Sequence, residues 1–157
     1  MSEKETLGHV DQVRRQINYV ISALNIRAAL HDKSKLEEPE ASTFDRVTGA
    51  LKGLTYGSPE YYEQLKEMKP ALDHHYANNR HHPEHFESGM VDMNLIDLIE
   101  MFCDWYAATK RHADGDIHKS VDLNAKRFGY GSDLISIFHN TADWLMEQPR
   151  NDKQEEL

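Results

Sequence analysis

Leu7, Val10, Val13, Ile17, Val20, Ile21 and Leu24 return every three or four residues, so a helix over residues 5–29 gathers them into one apolar stripe. A strand cannot use this pattern, because its side chains alternate with a period of two. No later segment alternates in that way, and the chain has no internal repeat. A short helix is expected through Phe44, Val47 and Leu51. A third carries Tyr61, Leu65, Met68, Leu72, His75 and Asn79, with Ser58 as N-cap, Pro59 in its first position and Pro70 as a kink. After the loop "RHHPEHFESGM", Asp92 is expected to cap the apolar helix "MNLIDLIEMFCDWYAATKRH". Helices near 117–128 and 133–147 follow, separated by the glycines of "RFGYGSD". The expected fold is all-α: a single-domain bundle of about six helices over residues 1–148, with 149–157 a frayed tail.

With 39% hydrophobic and 29% charged residues, 157 residues suit one soluble domain with a core. No long uncharged apolar run predicts a membrane span, and "MSEKETLGHV" lacks the pattern of a signal peptide. Cys103 is the only cysteine, which fits a reducing interior, so the expected compartment is the cytoplasm. A net charge of −9 argues against a duplex nucleic-acid binder. A small anionic substrate remains compatible where metal ions or a few local cations supply a positive field. Self-association is left open.

The ten histidines constrain chemistry more than the charge does, since seven of them fall between His74 and His118. His31 and Asp32 are adjacent near the end of the first helix, with Lys35 three residues on. Such a pair is often only solvated surface. Imidazole beside carboxylate also suits Zn, Fe, Mn or Co better than Ca or Mg. His75 and Asn79 share the Leu72 face of the third helix, whereas His74 points roughly the opposite way at 100° per residue. Buried polar groups there need partners: a hydrogen-bonded core or a metal with its water. "NRHHPEHF" packs His81, His82 and His85 into five positions. Asp97, Glu100 and Asp104 line one face of an apolar helix, either as its solvent strip or toward a buried cation. His9 flanks the first apolar stripe and is ambiguous alone.

Taken in order, His9, the doublet "HDKSK" at 31–35, the later histidines and Asp104 resemble the HD superfamily of metal-dependent phosphohydrolases. "HHYANNRHHPEHF" followed by "LIDLIEMFCDWYAA" looks like an uncharacterised HD-like family of bacteria and their phages. The likeness covers about residues 5 to 112. It implies that His9, His31, Asp32 and Asp104 carry the core ligand roles, with His75 and one or both of His81 and His82 as the extra histidines of two-metal members. Lys35 stands where the family's phosphate-contacting lysine does. The implied activity is hydrolysis of a nucleotide or related small phosphate ester with one or two divalent transition ions (Mn, Fe, Zn, Co or Ni). Asn79 and Arg80 would assist Lys35 on the substrate, and Asp97 or Glu100 would orient the water or a ligand histidine. The GYP signature of cyclic-dinucleotide phosphodiesterases is missing, and catalytic carboxylates do not follow the doublet directly, so no particular substrate carries over. A di-iron oxygenase and a non-catalytic metal-stabilised binding protein are the alternatives on the same scaffold.

Overall fold

A computed structural model describes residues 2–51, 59–111 and 114–148. The described residues are all-α, with seven α-helices, three short 3-10 turns and no strand. None of these helices is long and apolar enough to cross a membrane. The Ser58 cap and the 149–157 tail lie outside the described residues. The chain divides into two compact units, residues 1–100 and 101–157.

In the first unit, α1 (Glu3–Leu30) starts at a reciprocal cap. Ser2 Oγ accepts the Glu5 N–H at 3.3 Å, and Glu5 Oε2 accepts the Ser2 N–H at 2.6 Å. No residue of α1 is buried. A 3-10 turn (Lys33–Leu36) leads to α2 (Glu40–Leu51), which packs on that turn, on α3 (Pro59–Glu67) and on α4 (Lys69–Asn78). The kink expected at Pro70 is a full break. Proline has no N–H to continue the ladder but suits the first turn of a new helix, where Pro70 lies. The loop expected at 80–90 contains the two other 3-10 turns, Pro83–His85 and Gly89–Asp92.

α5 (Leu95–Thr109) begins in the first unit and continues into the second. Its cap is Asn94, not Asp92. Asn94 Oδ1 accepts the Ile96 and Asp97 N–H groups at 2.9 and 3.1 Å, and Asp97 Oδ2 accepts the Asn94 N–H at 3.1 Å. Asp92 sits instead in the preceding 3-10 turn and accepts the Ser88 N–H.

The second unit adds α6 (Ile117–Phe128) and α7 (Ser132–Glu147) around Phe102, Ile117, Val121, Phe138 and Ala142. Phe102 stacks on Phe138 at 5.4 Å, with Trp105 edge-on to Phe138. Gly129 ends α6 in the left-handed region at φ 72°.

Asn94→Ala should cost about 1 kcal/mol of stability in a urea melt, whereas Asp92→Ala should stay within about 0.5 kcal/mol of the unaltered chain. Equal losses from the two variants would contradict the assignment of the cap.

Candidate metal centre

Where α1 stops, His31 turns to extended backbone and Asp32 takes the left-handed conformation at φ 55°. Aspartate tolerates this region better than most residues. The turn sends the two neighbouring side chains toward one place. His31 Nε2 lies 3.6 Å from Asp32 Oδ2, and Lys35 Nζ reaches the same oxygen at 2.6 Å. Asp32 Oδ1 points the other way, 3.3 Å from His75 Nε2 and 3.5 Å from His81 Nε2. His82 Nε2 completes the group, 2.9 Å from His75 Nε2. One carboxylate oxygen and three imidazole nitrogens thus face a common point.

Behind them stand two carboxylates that fix the rings. Glu40, fully buried at the start of α2, places Oε2 2.8 Å from His75 Nδ1 and Oε1 2.7 Å from His74 Nδ1. Glu100 Oε1 lies 3.0 Å from His31 Nδ1 and 3.1 Å from His81 Nδ1. A carboxylate only accepts, so each facing Nδ1 carries the proton and the Nε2 lone pairs of His75, His81 and His31 are directed inward. Burial alone would raise the Glu100 pKa, but hydrogen bonds from His31, His81 and Arg27 hold it well below the ordinary carboxylate range. Glu40 is likewise lowered despite burial, by His74, Ser34 and His75. Burial pushes His75 below its usual value, so its ring is neutral at pH 7. Asp32, despite burial, is held ionised by Lys35, His31 and His75.

The fit of this pocket to a cation follows from two atoms. Among the described residues, Asp32 Oδ1 and His81 Nε2 are the buried side-chain atoms without a hydrogen-bond partner. Both are acceptors, and they face each other at 3.5 Å. Leaving such atoms unsatisfied costs about 1–3 kcal/mol each. A cation between them removes that cost. Three of the separations within the set, 2.9, 3.3 and 3.5 Å, are close to the donor spacing around one transition ion, and all four atoms lie within 4.8 Å of one another. That spacing is about 3.0 to 3.4 Å for bonds near 2.1 Å. Asp32, His75, His81 and His82 therefore could hold a metal ion. His31, His81 and Glu100 also cluster, but through the Nδ1 hydrogen bonds just described, which makes Glu100 an orienting partner.

Other predicted residues do different work. His9 is exposed and lies 22 residues before His31, with α1 unbroken between them. At about 1.5 Å per residue that is roughly 33 Å, so the two do not share an ion. Asp97 meets no histidine. It is fully buried, accepting from Arg27 Nη2 at 2.9 Å and from Arg80 Nε and Nη2 at 3.1 and 3.0 Å. Arg80, expected on substrate, is spent on Asp97 and stacks over Phe86 at 4.7 Å. Asn79, also expected on substrate, is buried and donates to Ser34 Oγ at 2.7 Å and to the His75 carbonyl at 2.8 Å. It braces His75. His74 is half exposed while His75 is buried. Asp104 is half-buried on α5, one turn beyond Glu100, and belongs to the second unit.

Sequence reasoning missed Arg27, Ser34 and Glu40. Arg27 Nε binds Glu100 Oε2 at 2.5 Å, tying α1 to α5. Glu40 was detectable, because it precedes Phe44 and Val47 by four and seven residues and so shares their inward face. Arg27, three residues after Leu24, carried the same signal on α1. Beside His81 and Glu100 opens a cavity of about 170 Å³, also lined by Arg27, Arg80 and Asn79.

A model of a family of unknown function, DUF5662, matches residues 1–151. The chain belongs to that family. No curated protein and no solved structure matches it. The family match spans both units and every residue of the candidate metal-ligand group.

Two measurements follow from this geometry. Glu40→Gln should weaken binding of Zn or Mn about 10- to 100-fold in a chelator competition, since it disturbs the tautomer of a ligand and not the ligand itself. Asp97 is held below its usual 3.8, because Arg80, the Asn94 N–H and Arg27 together outweigh its burial. A depressed carboxyl contributes stability that is complete above the unfolded value and lost as pH falls through the folded one. Asp97→Asn should therefore flatten the fall in stability below about pH 4, read from urea melts on metal-free protein. An unchanged acid limb would contradict this role for the pair.

Proposed function

We propose that the protein is a metal-dependent phosphohydrolase of the HD type, acting on a nucleotide or related small phosphate ester. The observation that carries the reading is the pair of facing, unpartnered acceptors, Asp32 Oδ1 and His81 Nε2, inside a ring of histidines oriented by carboxylates. Asp32, His75, His81 and His82 hold the ion, and His31 stands next to them with its Nε2 toward Asp32. Asp104 is assigned as a further ligand on the strength of the sequence resemblance and its place one turn beyond Glu100. A divalent ion bound there supplies Lewis acidity and a water acidified toward neutral pH.

The remaining work belongs to the chain. Lys35, part-exposed and already on Asp32 Oδ2, presents its ammonium to the phosphate oxygens as charge develops. Glu40 and Glu100 keep the imidazoles in the tautomer that offers Nε2. The cavity beside His81 leaves room for a phosphate-sized group, and the Arg27 and Arg80 charges in its wall are balanced by Asp97 and Glu100. His9 is remote from this group along the unbroken α1 and is not assigned to it. The ordinary compartment for such chemistry in a chain with one cysteine is the cytoplasm.

Lys35→Ala should lower kcat/KM on a nucleotide and phosphomonoester panel by about 10² to 10³ while metal stoichiometry stays unchanged. Asp32→Ala should lose both. Metal-loaded protein that turns over no phosphoester but consumes oxygen would replace this reading with the oxygenase, and loading without either activity would favour a binding protein.

A further inference from the structure

The apolar stripe of α1 has no partner within the first unit as described. Leu7 is 59% exposed, Val10 43%, Val13 42%, Ile17 53%, Val20 43% and Ile21 48%, with Leu24 half-buried. No hydrogen bond or ion pair described for residues 3–24 leaves the helix, and the first ones that do are at Arg27 and His31. A helix this long that buries nothing over its first six turns is marginal in water by itself. Contiguous apolar patches of this size on a soluble protein mark an interaction surface.

We propose that this face is covered by the α1 stripe of a second copy of the chain. The stripe is self-complementary. Val10, Val13, Ile17, Val20 and Leu24 step by three, four, three and four residues, which is the seam of a two-helix coiled coil. Leu7 and Ile21 widen it on one side, as helix pairs in bundles require. Running in the opposite direction, a second stripe sets Leu7 against Leu24 and Val10 against Ile21, so an antiparallel pair fills both ends and opposes the helix dipoles. Charge permits it as well. Between Leu7 and Leu24 one acidic residue, Asp11, stands against Arg14 and Arg15, so the −9 of the whole chain is not concentrated where two copies would meet. Seven half-exposed side chains and their neighbours give roughly 500 Å² per copy, hence about 1,000 Å² for the pair, which reaches the lower bound for a specific interface. The pairing leaves Arg27 and His31, beyond the seam, on their own Glu100.

Sedimentation equilibrium of the full chain over 1 to 100 µM tests this. The unaltered protein should give twice 18.2 kDa at the upper concentrations. Ile17→Lys, in the seam, should return it to 18.2 kDa with helical circular dichroism and zinc stoichiometry unchanged. Arg15→Glu, on the opposite face, should leave the dimer intact. Should Ile17→Lys lose its helical signal, hydrogen exchange on the unaltered chain decides: amides of residues 10–24 should be protected at 100 µM and exchange faster on dilution to 0.1 µM. A monomer at 100 µM, an Ile17→Lys dimer, a dimer broken by Arg15→Glu, or α1 protection independent of concentration would each overturn the proposal.

Discussion

Two buried carboxylates hold the first unit together. Among the described residues its buried side chains are mostly polar: Glu40, His75, Asn79, His81 and Asp97 against Val47, Ala71 and Pro83. An interior of that kind is unfavourable unless every group finds a partner. Glu40 answers this from α2 by engaging Ser34, His74 and His75, and Glu100 answers it from α5 by engaging Arg27, His31 and His81. Through these contacts four separate segments become one unit. What an aliphatic cluster does in most small helical proteins is done here largely by charge and hydrogen bonds. The two atoms that remain unsatisfied are therefore informative. They are where the network could take a cation.

Asp97 extends the same logic to the backbone. It closes the cap with Asn94 that starts α5 and receives both Arg27 and Arg80. One side chain thus sets where α5 begins, how the end of α1 meets it, and where the loop carrying His81 and His82 is anchored. Arg80 immediately precedes His81, so its grip on Asp97 fixes the loop one residue from an inward-facing imidazole nitrogen. Breaking a buried pair of this kind usually costs more than the pair contributes, since it strands the remaining charge.

The helices were legible because periodicity is local. The α6 limits agreed with the sequence reading, and α7 differed by one residue at its start. Boundaries set by a single side chain were less so: Asp92 and Asn94 are both good caps, and only the path of the chain decides between them. Within the candidate site, the inward phase of His75 and the density of histidines at 81–85 marked side chains that the fold brings together. The expected first ligand, His9, did not join them, because the order of histidines along a chain says nothing about whether a long helix separates them. His9 fits the family pattern by order alone. Glu40 and Arg27 were overlooked for the opposite reason. They sit at apolar phase, where a charged residue is easily taken for an imperfection of the pattern.

Asp32 is both a donor to the proposed ion and the residue that reverses the chain at φ 55°. The backbone there is set by the steric tolerance of a short side chain, independently of anything the carboxylate binds. The doublet is consequently aimed before a metal arrives, and loss of the ion would not by itself unwind the turn. It also narrows what the position accepts. Asparagine or glycine would keep the turn and alter only the donor, while a β-branched residue would disturb the path of the chain as well as the chemistry.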